Sequence, residues 1–545
     1  MSARLRTAAL LLAGALPGAA CAAWSGQAAP DADPQAAPRG APPNAHPAVK
    51  STSPAPLRAA ETFAVVWEKL RDSGFGEDRD DIDWAALEAR HRPAIEGAED
   101  LAGLRRELNR LLQAVGVSHL GLIPAEAIPQ PRARPASKAN AGADASAEAG
   151  TKPPRGSGSA AKSSRPDTVA DAADTGGRAE ADALANTQAD AEDDASTPDE
   201  EAQTRAALGL RVMVIGGALH LLQVEAGSPA AAAGLRPGWQ LEAIDDWAIA
   251  PAVASVQAQP DGMARRRALL GFEMAANERL SDLDPEDTVS LRLRDTLGQP
   301  RVVALTARET PGPYLQLMPG MPPMPFRYRA ERLNLPAGAC TLHVEFDLWA
   351  QPAFDRLAAT LREQPDCDRL ILDLRGNPGG QLFSMTAVGG LLYDKTTSLG
   401  AMKTAQGTLR LTVLPRRVAD DGTRLRRLGG PVAVLIDRGS ASSSEIFTAG
   451  LQATGRARVF GETSAGMALP AITARLPSGD WLYFPTADMT DPDGRRIEGQ
   501  GVAPDVVVTP SVATLAAGED PALAAAMDWI AQSAGEPVPA ARGAR

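Results

Sequence analysis

The stretch LILDLRGNPGG, residues 370–380, decides how the C-terminal half of this chain folds. It opens with the apolar residues of a buried strand, of the kind found in parallel sheets. The glycines that follow predict a loop whose backbone N–H groups can approach a ligand closely. On either side, from about Tyr314 to Val512, apolar segments alternate with helical ones. This alternation predicts an α/β layer architecture.

A second loop, DRGSASSSE at residues 437–445, follows the apolar segment 432–436 and opens a predicted helix. Active sites of α/β sheets lie at the ends of such strands, and a helix start favours a developing negative charge. Ser442 is therefore a candidate nucleophile. It is equally a candidate helix cap, because Ser442 and Glu445 have the spacing of a capping box.

The region before this core has the pattern of a small β domain. Short strands are predicted between Leu208 and about Glu309, and SPAAAAGLRPGW (228–239) predicts a short helix and a turn. This order resembles a PDZ domain, and about 251–285 has the character of an insertion into it. The resemblance implies that a peptide adds a strand and that its terminal carboxylate is bound by Gly209, Leu210, Arg211 and Val212. A β domain that binds nothing is the structural alternative.

The N-terminus has the pattern of an export signal. Arg4 and Arg6 precede an apolar run too short to span a bilayer, and cleavage is expected after Ala22. Lipid attachment at Cys21 is the alternative, and such a lipid is the one membrane contact we expect. The protein is therefore expected to be exported, and to be periplasmic or lipoprotein-anchored.

Composition restricts the partners. The chain has 545 residues with 55 Lys plus Arg against 67 Asp plus Glu, a net charge of −12, which argues against nucleic acid. Three cysteines and five histidines show no zinc-binding spacing, so no metal and no organic cofactor is expected. Cys340 and Cys367 precede neighbouring predicted strands, and a disulfide and two free thiols both remain open.

Together with the PDZ-like segment, the two loops resemble the tail-specific, or C-terminal-processing, serine protease superfamily. The resemblance rests on LILDLRGNPGG and on VLIDRGSASSSEIFTAGLQATGRARVFGETSAG, residues 434–466. It implies a ClpP/crotonase-like core in which Ser442 is the nucleophile. The implied oxyanion hole uses the backbone N–H of Ser443 and that of Gly379 or Gly380.

The chain departs from the Ser–Lys branch of that superfamily. The lysine of that branch follows the nucleophile by 25 residues, here Met467, and no lysine occurs after Lys403. A serine needs another base. His46 lies in a predicted tether, and His91, His220 and His343 lie in other predicted segments, so His119 is left.

The segment that ends in VGVSHLGL (115–122) resembles the helical domain of the tricorn-core-like branch. This resemblance implies that His119 is the base and that Ser118 and Glu498 orient it. The structural alternatives are a buried histidine, a helix cap for Ser118 and a turn carboxylate for Glu498.

We therefore expect a multidomain α+β serine endopeptidase that acts on polypeptides through their C-terminal tails or unfolded segments. A degenerate protease that binds peptides or serves as a scaffold is the alternative, and the oligomeric state stays open. The expected organisation is a signal peptide (1–23), a disordered tether (24–56), a helical domain (57–124), a disordered acidic linker (125–205), a PDZ-like domain (206–309), an α/β protease core (310–515) and a C-terminal helix and tail (516–545).

Overall fold

The computed structural model describes residues 57–72, 82–128, 206–260, 262–309, 312–335 and 340–533. The predicted signal peptide, the tether, Cys21 and nearly all of the predicted linker lie outside these ranges. The described residues belong to one compact unit. No helix within them has the length and apolarity needed to cross a membrane.

Three helices form the N-terminal region: α1 (Ala59–Asp72), α2 (Trp84–Glu96) and α3 (Leu101–Val115). Asp100 caps α3 by accepting the Gly103 N–H, and Gly116 ends it in the left-handed conformation at φ 71°. The sequence pattern predicts a helical domain up to 124, but residues 121–123 instead form a strand, β1 (Gly121–Ile123). Leu122 of β1 pairs with Leu482 of the C-terminal region in an antiparallel ladder, and Leu122 and Ile123 are both buried.

Residues 206–309 form a β domain whose main sheet has the order β3-β4-β5-β7-β8. Its elements are β2 (Ala206–Ala207), β3 (Leu210–Ile215), β4 (Ala218–Val224), α4 (Pro229–Ala232), β5 (Gln240–Ile244), β6 (Trp247–Ala248), α5 (Ile249–Gln257), α6 (Met263–Ser281), β7 (Thr288–Arg294), β8 (Pro300–Thr306) and β9 (Arg308–Glu309).

The segment expected to be an insertion, about 251–285, is integral to this β domain. It forms α5 and α6, and Val253, Phe272 and Leu280 from these helices belong to the same buried cluster as Leu221 and Leu291 of the sheet. The apolar residues of α6 provide the cover that one face of the sheet needs.

The C-terminal α/β region is built on a sheet of order β12-β13-β14-β17-β18-β22. The strands are β12 (Tyr328–Asn334), β13 (Cys340–Phe346), β14 (Arg369–Asp373), β17 (Val432–Ile436), β18 (Arg458–Gly461) and β22 (Val506–Val507). All neighbours are parallel except β12 and β13.

Helices cover both faces of this sheet. One face packs on α7 (Gln351–Glu363), α8 (Leu382–Gly389) and α9 (Ser443–Ala453). The other face packs on α11 (Pro521–Gln532), where Ile530 lies in a buried cluster with Leu435 and Phe460. The predicted C-terminal helix is therefore a layer of the α/β region.

The remaining elements form small sheets and one short helix around this core. They are β10 (Tyr314–Leu315), β11 (Met324–Pro325), β15 (Thr397–Thr404), β16 (Gly407–Val413), β19 (Ala471–Arg475), β20 (Trp481–Pro485), β21 (Asp488–Thr490) and α10 (Val512–Ala516).

A disulfide joins Cys340 at the start of β13 to Cys367 just before β14, with Cα atoms 4.5 Å apart. The parallel pairing of the two strands places both cysteines at the same end of the sheet. Of the two alternatives that the sequence leaves open, the structure has the disulfide.

Candidate active site

Ser442 lies in the turn between β17 and α9, directly before the first residue of the helix. Its backbone has φ 54° and ψ −121°, and within the described residues only four non-glycine residues have a positive φ. His119 is another of the four, at φ 56°. Such strain is costly for residues with a Cβ and is concentrated at functional sites.

Glu445 ties this turn to a neighbouring segment, residues 464–468. Its carboxylate accepts the N–H of Ser442 at 3.2 Å and those of Gly466 and Met467 at 2.7 and 2.8 Å. The Ser464 hydroxyl donates to it at 2.6 Å. Burial raises the pKa of Glu445 to about 7, although these hydrogen bonds act to lower it. The Glu445 half of the predicted capping box is present, because its carboxylate accepts the Ser442 N–H, and this contact holds Ser442 in place.

Ser118, His119 and Glu498 form a hydrogen-bonded chain, although Glu498 is 380 residues from Ser118. Ser118 Oγ lies 2.9 Å from Glu498 Oε2 and 2.9 Å from His119 Nδ1. The carboxylate can only accept, so the single hydroxyl proton of Ser118 goes to Glu498. His119 Nδ1 must then donate to Ser118, which leaves Nε2 as the unprotonated nitrogen.

His119 Nε2 is buried, and nothing in the described part of the chain hydrogen-bonds it. Burial, helped by the charge of Arg267, lowers the pKa of His119 to about 4. The imidazole is therefore neutral at neutral pH, with a lone pair free to accept a proton.

Residues 467 and 468 connect the serine to this chain. The carbonyl of Met467 accepts the Ser442 N–H at 2.7 Å, and the next amide, Ala468 N–H, donates to Glu498 Oε2 at 2.9 Å. The side chain of Met467 is fully buried beside Ala441 and Leu270. The residue 25 positions after Ser442 thus presents a buried thioether and no amine.

The glycine loop lies directly against Ser442. A Cβ on Gly379 would come within 2.6 Å of the Ser442 Cβ, so only glycine fits there. The Gly379 N–H donates to Asn377 Oδ1 at 2.9 Å. By contrast, the N–H groups of Gly380 and Ser443 donate no hydrogen bond within the described residues. These two amides remain available to an oxyanion, whereas that of Gly379 is engaged.

The segment predicted to bind a peptide carboxylate lies at the start of β3. Gly209 has φ 73°, and Leu210 and Val212 are buried in the β domain. Arg211 extends to the core, where its guanidinium lies 4.0 Å from Asp437 Oδ2.

The free edge of β3 is occupied by side chains of α6. Asn277 accepts the Val212 N–H at 2.9 Å and donates to the Val212 carbonyl at 3.0 Å. Glu273 accepts the Val214 N–H at 2.6 Å and pairs with Arg438 at 2.9 Å. A peptide strand at this edge has to replace these contacts.

The remaining described histidines lie apart from this arrangement. His220 Nδ1 contacts the Gly238 carbonyl at 3.0 Å, and His343 lies 3.4 Å from Asp373. His91 lies in α2, and burial lowers its pKa.

Sequence reasoning missed Arg267 of α6. Its guanidinium lies 3.0 Å from Glu498 Oε1 and donates to the Gly116 carbonyl at 2.7 Å. No local signal marks it, because it lies within a helix and belongs to no recognisable motif. The segment around it is the one expected to be an insertion.

Three comparisons bear on the family. Residues 344–508 match the profile of Peptidase family S41. The probable CtpA-like serine protease of Staphylococcus aureus (strain bovine RF122 / ET3-1) is 28% identical over 148 residues, 27% of this chain and 29% of that protein. The protein of the same description from Staphylococcus haemolyticus (strain JCSC1435) is 27% identical over 139 residues, 26% of this chain and 27% of that protein.

The matched part of the chain therefore spans less than a third of these relatives. Mature CPAF, solved in complex with lactacystin, is similar in fold, with a TM-score of 0.51 at 12% identity. That alignment covers 88% of this chain and 98% of CPAF.

Proposed function

We propose that the protein is a serine endopeptidase with Ser442 as nucleophile and His119 as base. The premise of this proposal is the match of residues 344–508 to the profile of peptidase family S41. The observation that carries the proposal is the chain from Glu498 through Ser118 to His119, with Nε2 of His119 left unprotonated and unpaired within the described residues. Its hydrogen-bonded connection to the Ser442 turn through residues 467–468 supports the same assignment.

The proposed reaction is acyl transfer. Ser442 Oγ attacks the scissile carbonyl carbon while its proton passes to His119 Nε2, and the carbonyl oxygen becomes an oxyanion held by the N–H groups of Ser443 and Gly380. His119 then protonates the leaving amine, the C–N bond breaks, and an acyl-enzyme forms. Water repeats the same steps and releases the acid. Ser118 and Glu498 keep the imidazole in the required tautomer.

For the substrate we propose polypeptides with accessible C-termini or unfolded segments, recognised by the β domain as a PDZ-like module. The order of its strands and the position of Gly209 before β3 support this assignment. Strand addition at β3 requires that Asn277 and Glu273 withdraw from Val212 and Val214. We further propose a ClpP/crotonase-like core and an exported protein, the latter on the pattern of residues 1–23.

The competing candidate is a protein of the same fold that binds peptides without cleaving them. Its motivation is the absence of lysine at position 467. The arrangement around His119 supplies another base, and this weighs against that candidate.

The deciding experiment follows cleavage of an unstructured polypeptide with a free apolar C-terminus by mass spectrometry. Ser442→Ala and His119→Ala should each lower kcat by about 10⁴-fold or more with folding intact. His91→Ala, a histidine of α2 outside the site, is the matched control and should retain activity. Labelling by a fluorophosphonate should occur in the wild type and the control but not in Ser442→Ala.

If Ser442→Ala abolishes cleavage and His119→Ala does not, the protein is a protease but His119 is not its base. If the wild type neither cleaves nor becomes labelled on several substrates, the binding protein is the better description.

A further inference from the structure

Glu498 accepts four hydrogen bonds, and one of its donors is charged. Ser118 N–H and Arg267 donate to Oε1 at 3.3 and 3.0 Å, whereas Ser118 Oγ and Ala468 N–H donate to Oε2, each at 2.9 Å. The pair with Arg267 is the one ion pair that Glu498 makes in the part of the chain that the structure describes. Glu498 is only 3% exposed, and a buried carboxylate needs such a partner to stay ionised.

The same guanidinium also holds the loop that carries the base. Arg267 donates to the Gly116 carbonyl at 2.7 Å, two residues before Ser118. Gly116 is the left-handed C-cap of α3, so this contact fixes where the chain leaves the helix. A planar fork can reach the carboxylate and the carbonyl together, which a single ammonium group cannot do with the same geometry.

We propose that Arg267, supplied by α6 of the β domain, is a positioning residue of the catalytic site. It anchors the Glu498 carboxylate and the 116–119 loop to one rigid group, so that Ser118 Oγ donates to Glu498 and His119 Nδ1 donates to Ser118. This inference rests on the proposed function, since it assigns a role within that reaction.

The position of Arg267 also predicts how the pH dependence of kcat/KM changes when this arginine is replaced. The ionisable groups that face His119 and Glu498 are Arg267 from α6, Glu445 from α9, Tyr483 from β20 and Arg496 beside Glu498 in the chain. Of these, Arg267 acts on His119 by disfavouring the imidazolium. Removing its charge should raise the pKa of His119, so the acid limb of kcat/KM should move to higher pH.

The test compares Arg267→Ala, Arg267→Lys and Arg266→Ala. Arg266 precedes Arg267 on α6 and contacts the loop that carries Glu498, through the carbonyls of Gln500 and Gly499 at 3.1 and 3.5 Å, but within the described residues no contact joins it to the Glu498 carboxylate. It therefore controls for the attachment of α6 to that loop. The measurements are kcat and KM for peptide cleavage, the pH profile of kcat/KM, and the rate of fluorophosphonate labelling.

For Arg267→Ala we expect kcat to fall on the order of 10²-fold with KM nearly unchanged, the size of effect that a displaced catalytic group produces. Its acid limb should move up by about one pH unit. Arg267→Lys keeps the charge without the fork, so it should hold the acid limb near that of the wild type while kcat remains reduced. Arg266→Ala should resemble the wild type in both readouts.

An Arg267→Ala variant whose kcat and pH profile match those of Arg266→Ala overturns the inference and leaves the protease assignment intact. If Arg267→Ala does not fold, Arg267→Gln, which keeps most of the side-chain stem, carries the same comparison. A wild type without cleavage or labelling refutes the proposed function instead, so the two failures are distinguishable.

Discussion

At the scale of single residues, the proton of Ser118 determines what His119 can do. A hydroxyl has one proton, and Glu498 takes it, so the imidazole is left with a donating Nδ1 and a free Nε2. Because Ser118 lies between them, the Glu498 carboxylate is farther from the imidazole than in a direct carboxylate–histidine pair. Burial of His119 then keeps the ring neutral.

The pH dependence of the wild type follows from this environment. Burial lowers the pKa of His119 to about 4, and the base must be neutral to accept a proton. We expect protonation of His119 to lower kcat/KM tenfold per pH unit below about pH 4, and protonation of Glu445, whose pKa is about 7, to add a separate step near neutral pH. Measurement between pH 3.5 and 8, with intrinsic fluorescence to confirm folding at each pH, checks this. A profile without the limb near pH 4 contradicts the prediction for His119.

Much of the candidate site could be predicted from short motifs. The motifs that resemble the C-terminal-processing proteases contain Ser442, Ser118, His119 and Glu498. The structure brings the last three of these residues within hydrogen-bonding reach of one another. Arg267 could not be predicted in this way. Its position depends on how α6 packs against the α/β region, and no local pattern in a helix encodes that.

At the scale of elements, α6 takes the place that an added strand would occupy beside β3. The amide of Asn277 both accepts from the Val212 N–H and donates to the Val212 carbonyl, as a peptide unit of a neighbouring strand does. The edge is therefore satisfied without a ligand, which also protects it from pairing with other chains.

This arrangement predicts the effect of Asn277→Ala on peptide binding. In the wild type a peptide strand has to displace the Asn277 amide from Val212. This breaks two hydrogen bonds that contribute about 1 kcal/mol each. We expect Asn277→Ala to bind a peptide with a free apolar C-terminus about tenfold more tightly or better. Fluorescence anisotropy with a labelled peptide, in the Ser442→Ala background to prevent cleavage, measures this.

Ser281→Ala is the matched control, because Ser281 Oγ only donates to the Asn277 carbonyl of its own helix. Unchanged or weaker binding by Asn277→Ala would place peptide recognition away from β3.

The short strands that the sequence pattern predicts between Leu208 and about Glu309 are present as β3 to β9. The helices α5 and α6 were not predicted as part of this β domain. In the Ala- and Arg-rich segment 263–281 the apolar and polar residues are poorly separated into two faces. Its sequence alone therefore does not indicate which face is buried against the sheet. The same limit explains the end of the helical region, where the three residues of β1 depend on β20 as a partner.

At the scale of the whole molecule, the proposed base and the proposed nucleophile come from regions far apart in the chain. The N-terminal helices attach to the α/β region through β1 on β20 and through a buried cluster that includes Leu111 and Phe484. Arg105 adds two contacts to Asp480, at 2.6 and 2.9 Å, and the Asp480 side chain is fully buried. The presence of His119 at the site depends on this attachment.

We therefore expect Arg105→Ala to lower both stability and activity. It leaves the Asp480 carboxylate buried without its cation, a change that costs about 3 kcal/mol. Thermal unfolding should shift to lower temperature, and kcat/KM should fall, because the 116–119 loop is held less firmly. Arg110→Ala, which removes an exposed pair with Glu107 on the same helix, is the control and should have little effect.

Adding Asp480→Asn to Arg105→Ala removes the unpaired charge and should recover part of the stability. If Arg105→Ala retains wild-type unfolding temperature and kcat/KM, the strand pairing and the apolar cluster hold the helices by themselves.

The pairing of β1 with β20 has a consequence for how this protein can be assembled. The contacts that bring His119 to the site are noncovalent: a strand ladder, an apolar cluster and an ion pair. None of them uses the peptide bonds of residues 129–205. The proposed general base is thus a detachable part, and two polypeptides, one ending near residue 128 and one beginning near residue 206, hold between them all the groups of the proposed reaction. Each is expected to be inert alone and to regain chemistry when its counterpart is supplied in trans.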